Sequence, residues 1–335
     1  MKQEFPRLRH VTGTLLALAI SAGAGSSTAS AKVLNLYTGN ASKNTAVEEL
    51  ERIAEEIKQR TNGEVEIRVH LAGSLQIQVP DMTLAVSDGV IQIGDDQQFA
   101  SAVPVSGILR LPALIRTRDE YAKAAEIVQP YVDQQYAKYG VTVLGTYYYP
   151  PLEIFASNKK ISNMEDLKGL KIRSLSAESS EWIKKVAGGI PITLSFSDLA
   201  PALDNGTVDG MTTVASGAGY ALRDQVKHNY RVPIAFSQVY EIINDDALSG
   251  LSRESQKVVK DVFAARLTGL SDKIADADVT LLDKMKGQGM GSVAATPDEV
   301  ARSEKLMEPF WEQWAKERGP EAQEALAKVR AALGR

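Results

Sequence analysis

The sequence predicts an α/β protein of two lobes, each a mixed sheet flanked by helices, with a hinged cleft between them. Strand-type and helix-type periodicities alternate along the chain after residue 31, and strand–helix–strand order occurs in both halves. Such alternation produces largely parallel sheets covered by helices. No long Gly/Ser linker separates the two halves of the sequence. We therefore expect the chain to cross several times between two hinged lobes, and not to form independent domains joined by a linker. The cleft is the expected ligand site.

Composition excludes several functional classes. The chain has 335 residues, 44% hydrophobic and 24% charged, which is enough for a sizeable core and about two domains. There are 38 Lys and Arg against 42 Asp and Glu, so the chain lacks the excess of positive charge with which proteins bind nucleic acid. With no cysteine, disulfides, thiolate metal sites, a cysteine nucleophile and a lipid-anchoring cysteine are all excluded.

The first 31 residues have the pattern of a secretory signal. Lys2, Arg7 and Arg9 precede an apolar and small-residue run over 11–25, and the following block ends Ala-Ser-Ala at 29–31. We therefore predict export and cleavage after Ala31. The apolar run is too short for a membrane span, which needs about 20 residues. The alternative is an N-terminal surface helix, which would not require the small-residue block.

The first predicted unit of the mature chain is strand–helix–strand. A short apolar run over 33–37 is a buried strand, and apolar residues between Val47 and Ile57 recur at helical spacing. Thr-Asn-Gly at 61–63 ends that helix, and strict alternation over 64–69 indicates the next strand. This order predicts a right-handed βαβ unit with parallel strands.

The remaining elements follow from the same periodicities. In the first half they are a helix over 82–86, a strand over 90–93, a helix over 120–139 and a strand over 141–149 that Pro150-Pro151 ends. In the second half they are a strand over 155–158, a helical turn over 163–167, a strand over 171–173, a helix over 178–187, a strand over 192–194, a helix over 196–205 capped by Ser195 or Ser197, and a strand over 208–214. The last are a strand over 241–244, a helical stretch over 253–286, a break at 287–291, and helices over 297–318 and 322–333.

The sequence lacks the constellations of common enzymes. After the leader it has two histidines, His70 and His228, which we interpret as surface residues, so a Ser-His-Asp triad is hard to build. The glycine-rich run at 287–291 does not open a helix and is interpreted as a linker. Asp95-Asp96 and Asp245-Asp246 are interpreted as surface or turn residues, because adjacent carboxylates on a strand point to opposite faces. A secreted hydrolase with a carboxylate pair is the enzymatic alternative.

Arg173 and a run of tyrosines are the stronger binding candidates. Arg173 ends a predicted strand, and a guanidinium there offers a planar fork matched to a carboxylate or phosphate. The alternative is a surface salt bridge. Alternation places Tyr147 and Tyr149 on one face and Tyr148 on the other, with core packing as the alternative. The tryptophans are interpreted as packing residues: Trp182, Trp311 and Trp314.

Several strings resemble the DctP-type solute-binding proteins of tripartite ATP-independent periplasmic (TRAP) transporters. The most specific are Asp-Leu-Lys-Gly-Leu-Lys-Ile-Arg at 166–173 and Ala-Leu-Asp-Asn-Gly-Thr-Val-Asp-Gly at 202–210. Shorter matches occur at 61–67, 72–75, 111–114 and 196–201, so the resemblance spans nearly the whole mature chain. It implies a periplasmic-binding-protein-like fold with a long helix bracing both lobes, within 253–286. We predict lobe I as 32–155 plus about 240–284, and lobe II as 156–239 plus about 285–335.

The resemblance also implies a function and site residues. A periplasmic receptor would close over a small organic acid and deliver it to the small and large membrane subunits of a permease, without catalysis or cofactor. Arg173 matches the arginine that pairs with the ligand carboxylate, and Ser176 matches a polar contact. Phe196 matches an aromatic wall, and Asn40 matches a polar contact after the first strand. We expect a monomer, and presentation of the ligand to a sensor kinase is an alternative role.

Two departures from the family pattern narrow the ligand. Thr213 stands where many members have an asparagine that helps to hold the carboxylate. Many members also carry a second arginine near 151–155, whereas here no arginine lies between Arg118 and Arg173. A second ligand charge would go unpaired in a closed cleft, so a monocarboxylate such as a sugar acid, hydroxy or keto acid or aromatic acid is expected. Glu153 is a candidate acceptor for ligand hydroxyls or an amine, with a surface position as the alternative.

Overall fold

A computed structural model describes residues 31–40, 44–97, 102–174, 176–194 and 196–335, with the side chains of residues 79 and 197 excepted. Residues 1–30 of the predicted leader over 1–31 and the predicted cap Ser195 lie outside what is described, and the other predicted cap, Ser197, is described by its backbone alone. Within the described residues, no helix has both the length and the apolar character needed to cross a membrane.

The first sheet has five strands in the order β2-β1-β3-β10-β4. Its strands are β1 (Lys32–Tyr37), β2 (Val65–His70), β3 (Ile93–Asp96), β4 (Val141–Tyr149) and β10 (Ser237–Asn244). Strand β1 pairs in parallel with β2 and β3, which confirms the predicted βαβ unit. Strand β10 runs antiparallel between β3 and β4, so β3 and β4 point the same way.

The second sheet has six strands in the order β11-β9-β5-β8-β6-β7. Its strands are β5 (Glu153–Ala156), β6 (Lys171–Ser174), β7 (Ile190–Thr193), β8 (Gly210–Thr213), β9 (His228–Arg231) and β11 (Gly291–Ala294). Strand β8 runs parallel to β6 and antiparallel to β5. Both sheets are mixed and flanked by helices, as predicted.

Ten α-helices flank the sheets within the described residues. They are α1 (Thr45–Arg60), α2 (Met82–Ser87), α3 (Arg118–Ala137), α4 (Ala177–Lys185), α5 (Phe196–Asp204), α6 (Asp245–Ser249), α7 (Arg253–Leu267), α8 (Leu270–Gly287), α9 (Pro297–Arg318) and α10 (Pro320–Leu333). The three tryptophans are at most 2% exposed, which confirms that they are packing residues.

Two short crossovers join the sheets. The chain leaves β4 at Tyr149 and enters β5 at Glu153, and it leaves β9 at Arg231 and enters β10 at Ser237. The crossovers are hydrogen-bonded together, since the Leu152 amide donates to the Ala235 carbonyl at 2.8 Å. The carboxyl ends of β1, β3 and β4 therefore adjoin the crossovers, as do those of β6 and β8. Ligands of α/β sheets bind beyond such strand ends.

The predicted helical stretch over 253–286 is two helices. They are separated at Thr268-Gly269, where Gly269 has a left-handed φ of 80°. Helix α8 nevertheless braces both sheets. Its Ser271 Oγ accepts from the Tyr148 amide of β4 at 3.0 Å, and its Asp278 Oδ1 accepts from the Ser216 amide after β8 at 2.6 Å.

Other differences from the predicted elements have local causes. The strand expected over 90–93 is instead β3 at Ile93–Asp96, because residues 88–92 form a turn with Gly89 at a φ of 70° and Val90 exposed. Strands β9 and β11 escaped prediction because their short sequences, H-N-Y-R and G-S-V-A, carry little apolar alternation. They are recognisable only through their pairing, β11 in parallel with β9 and β9 antiparallel with β5.

Candidate functional site

Arg173 is a buried cation without a carboxylate partner in the described part of the chain. It lies in β6 with 6% of its surface exposed, and its Nε donates to the Leu194 carbonyl at 3.2 Å. Among the described residues no carboxylate forms an ion pair with it, and burial lowers the pKa of its guanidinium from the usual value. The surface salt bridge considered as an alternative is therefore wrong. Because a buried charge is costly unless it is paired, the arginine is suited to an anion supplied from outside.

Register places two predicted residues on the same face as Arg173. Arg173 is opposite Met211 in β8, and Thr213 lies two residues further along that strand. Glu153 of β5 is directly opposite Thr213. Residues two apart on a strand share a face, and so do residues paired across strands. One face of the second sheet, at the carboxyl ends of β6 and β8, therefore carries Arg173, Thr213 and Glu153.

Thr213 and Glu153 already have partners inside the protein. The Thr213 hydroxyl is buried and accepts from the Ala218 amide at 3.2 Å. The Glu153 carboxylate accepts from Asn229 Nδ2 at 2.9 Å. Burial, together with the nearby charge of Asp278, raises the pKa of Glu153 to about 7. A ligand contact through either residue stays a prediction.

The predicted residues of the first sheet are also brought together. The rings of Tyr147 and Tyr149 share a face with centroids 6.0 Å apart. Tyr149 donates to Asn40 Oδ1 at 3.2 Å, and Tyr147 donates to Asp95 Oδ2 at 3.0 Å. Asp95 Oδ2 also accepts from the Thr38 hydroxyl at 2.6 Å. These groups form a polar cluster at the carboxyl ends of β1, β3 and β4.

Asp95 and Asp96 are buried in a strand, so their interpretation as surface or turn residues is wrong. Both are at most 1% exposed, because β3 lies inside the sheet between β1 and β10. Their side chains point to opposite faces as expected. Asp96 accepts from the Tyr136 hydroxyl at 3.2 Å, whereas Asp95 belongs to the polar cluster beside Tyr147.

Glu241 is the residue that sequence reasoning missed. It pairs directly with Asp95 across β10 and β3 and is 0% exposed. Within the described residues, neither of its carboxylate oxygens has a hydrogen-bond partner, and Asp95 Oδ1 has none either. Burial and the charge of Asp95 raise the pKa of Glu241 well above its usual range. The available signal was a single acid in the apolar run Val-Tyr-Glu-Ile-Ile of β10.

Ser176 and Phe196 have positions that leave their predicted roles untested. Ser176 caps α4, where its hydroxyl accepts from the Ser179 amide at 3.2 Å. Phe196 begins α5 with 43% of its surface exposed. Both stay predicted ligand contacts.

Comparison with known proteins identifies the family. The model of the DctP family, described as bacterial extracellular solute-binding protein, family 7, matches residues 37–317. The chain belongs to this family, which confirms the DctP-type resemblance seen in its sequence motifs. The family is extracytoplasmic, and its members bind solutes.

Curated relatives match along nearly their full length. The chain is 25% identical to the 2,3-diketo-L-gulonate-binding periplasmic protein YiaO of Escherichia coli, over 90% of this chain and 92% of the relative. It is 23% identical to the C4-dicarboxylate-binding periplasmic protein DctP of Rhodobacter capsulatus, over 96% of each.

A solved structure shares the fold. An extracytoplasmic solute receptor from Bordetella pertussis that binds pyroglutamic acid superposes with a TM-score of 0.81 at 24% identity, covering 90% of this chain and all of the other. The predicted two-lobed binding-protein fold is thereby confirmed.

Proposed function

We propose that this protein is the periplasmic receptor of a TRAP transporter, which captures a small organic acid between its two sheets and delivers it to the small and large membrane subunits of the permease. The observation that carries the proposal is Arg173, buried at a strand end beside the crossovers and without a carboxylate partner in the described chain. A ligand carboxylate supplies the missing counterion.

The binding mechanism follows from this geometry. A carboxylate can accept two parallel hydrogen bonds from the guanidinium fork, a charge-assisted contact worth about 1.5–3 kcal/mol. Closure of the lobes removes water and strengthens the attraction. Because the lobes approach each other over the ligand, closure also reports occupancy to the membrane subunits. The ligand leaves chemically unchanged.

The relatives support an acid as ligand, and this chain's own residues narrow it. The ligands after which the compared proteins are named, a diketogulonate, C4-dicarboxylates and pyroglutamic acid, all carry a carboxylate. A second carboxylate on the ligand would meet Glu153 or the Asp95 and Glu241 pair, and the sequence from 119 to 172 offers no arginine to hold it. We therefore infer a single carboxylate.

A thermal-shift screen tests the proposal. The full chain is expressed, purified from the periplasm, freed of co-purified ligand by unfolding and refolding, and screened against sugar, hydroxy, keto, aromatic and cyclic acids and their neutral amides. A ligand at about 1,000 times its Kd stabilises the protein by about 4 kcal/mol. We expect one class of acid to raise the Tm while its amide does not. If no acid raises the Tm, or if amides do so equally, the proposal fails.

A further inference from the structure

The polar cluster of the first sheet contains acceptors that the carboxylate site does not use. We propose that Asp95, Glu241 and Tyr147 form a second ligand subsite that takes an N–H group, so that the ligand is a small acid carrying both a carboxylate and a nitrogen-bound hydrogen. This inference rests on the proposed function and names the ligand class of the same cleft.

The first step is the position of the two acids. Asp95 and Glu241 are paired across adjacent strands, so their side chains share a face. Tyr147 of β4 reaches the same place, since its hydroxyl donates to Asp95 at 3.0 Å. Asp95 lies one residue before the end of β3, at the edge that adjoins the crossovers.

The second step is the count of donors. Carboxylates are acceptors, and buried acceptors in folded proteins are almost always satisfied. Thr38, Tyr147 and Asn40 donate to Oδ2 of Asp95. Its Oδ1 and both oxygens of Glu241 have no hydrogen-bond partner among the described residues. The nearby Gln97 amide acts to lower the pKa of Asp95, and its Nε2 is also without a partner there.

The third step is the charge of the missing partner. Neither Asp95 nor Glu241 forms an ion pair with a lysine or arginine of the described chain. Burial raises the pKa of Asp95, and burial together with the charge of Asp95 raises that of Glu241. No group of three or more acid or histidine side chains suited to a metal ion occurs in the described residues. The partner that best satisfies this pair is an N–H donor, and a protonated nitrogen satisfies it most fully.

The fourth step joins the two subsites. Arg173 lies near the carboxyl end of β6 in the second sheet, and Asp95 lies near the carboxyl end of β3 in the first. The carboxyl ends of both strands adjoin the same two crossovers. Within the described residues, one lobe thus presents a cation without a carboxylate partner and the other presents acceptors without a donor. An acid with an N–H group complements both, whereas a simple carboxylate complements one.

The experiment compares acids with carbocyclic twins that differ by replacement of N–H with CH₂. The pairs are proline with cyclopentanecarboxylate, pipecolate with cyclohexanecarboxylate, and pyroglutamate with 3-oxocyclopentanecarboxylate. Titration calorimetry on the ligand-free protein measures each Kd. We expect at least one N–H acid to bind tenfold or more tightly than its twin. Twins that bind within threefold of their partners in every pair overturn the subsite.

Variants assign the preference to residues. Glu241→Met removes the acceptors at similar size and is expected to reduce the N–H preference below threefold, while Glu254→Gln, at an exposed position on α7, leaves it intact. Glu241→Gln keeps an acceptor oxygen at the same size, so we expect it to retain the preference for a neutral N–H, and loss of that preference in this variant counts against the subsite. An unchanged preference in Glu241→Met overturns it.

The same data separate this inference from the proposed function. If the carbocyclic acids bind as tightly as the N–H acids and Arg173→Gln abolishes binding, the receptor role stands and the subsite falls. If no acid of the wider screen binds, the receptor role falls and the subsite with it.

Discussion

Glu49 and Glu241 are both completely buried glutamates, yet their surroundings differ. Glu49, in α1, contacts Arg52 at 3.2 Å, Arg266 at 3.3 Å and Lys273 at 2.9 Å, so it ties α1 to α7 and α8. Burial opposes its ionisation, but these cations together lower its pKa. Glu241 has no such partner in the described chain, and its pKa is raised. Glu49 therefore stabilises the fold through ion pairs, whereas Glu241 has no hydrogen-bond partner among the described residues.

The buried arginines show the same contrast. The Arg335 side chain is 3% exposed and pairs with Glu120 at 2.7 Å and Glu304 at 3.1 Å. Arg173 is buried to a similar degree without a carboxylate partner among the described residues. Paired buried charges therefore mark where helices are joined, and unpaired ones mark the strand ends where a ligand is expected.

The largest expected effect is on the paired acid. Glu49→Ala leaves three cations without their shared partner, and we expect the free energy of unfolding to fall by about 2–3 kcal/mol, less than for a fully buried pair because the cations are partly exposed. Urea unfolding measures it. Glu48→Ala removes an exposed partner of Arg52 and should cost less than about 0.5 kcal/mol. Equal effects of the two changes would contradict the comparison.

The second effect is on ligand affinity. Arg173→Gln removes the charge that holds the carboxylate, and we expect at least a tenfold rise in Kd, about 1.4 kcal/mol or more. Calorimetric titration with the acid found in the screen measures it, with Arg253→Gln on the exposed start of α7 as the matched control. Because no carboxylate is left behind, the ligand-free protein should not lose stability. Unchanged affinity would show that the carboxylate lies elsewhere.

The third effect has opposite signs for the two glutamates. Glu241→Gln removes an uncompensated buried acid, so the ligand-free protein should gain about 1 kcal/mol at pH 7. Glu49→Gln removes a compensated one and should lose stability. Urea unfolding of both variants measures the two changes in the free energy of unfolding. A decrease in both variants would mean that the Glu241 carboxyl has a stabilising partner within the folded protein.

The smallest effect concerns pH. The pKa of Glu153 is about 7 in the folded protein, above its ordinary value of 4.5, so folding favours the protonated form. Its contribution is present below about pH 4.5 and is lost as pH rises toward 7. We expect Glu153→Gln to lessen this loss by on the order of 1 kcal/mol, since partial exposure reduces the full effect of the shift. Identical pH profiles of the unfolding free energy for wild type and variant would contradict the assignment.

Local patterns were enough for much of the fold. Strand β4 and helix α9 have the bounds that periodicity and punctuation predict, because Pro150-Pro151 stops one and Pro297 opens the other. Arg173 was found because a motif and a strand end coincide. The break at Gly269 was missed, since α7 and α8 share one continuous helical periodicity.

The acidic half of the site could not be predicted because it depends on long-range pairing. Asp95 is buried because β10, about 145 residues later in the chain, inserts between β3 and β4. The same insertion sets Glu241 opposite Asp95. Single-sequence periodicity shows which residues share a face of one strand, but not which strands become neighbours.

The most direct test of the central claim is a crystal structure of the complex with the tightest-binding acid from the screen. The account predicts that the ligand carboxylate lies within about 3 Å of the Arg173 guanidinium, with hydrogen-bond geometry to its planar fork. A ligand carboxylate bound away from Arg173, for example in the crevice between α4 and α9 beside Lys184 and Arg318, would contradict it.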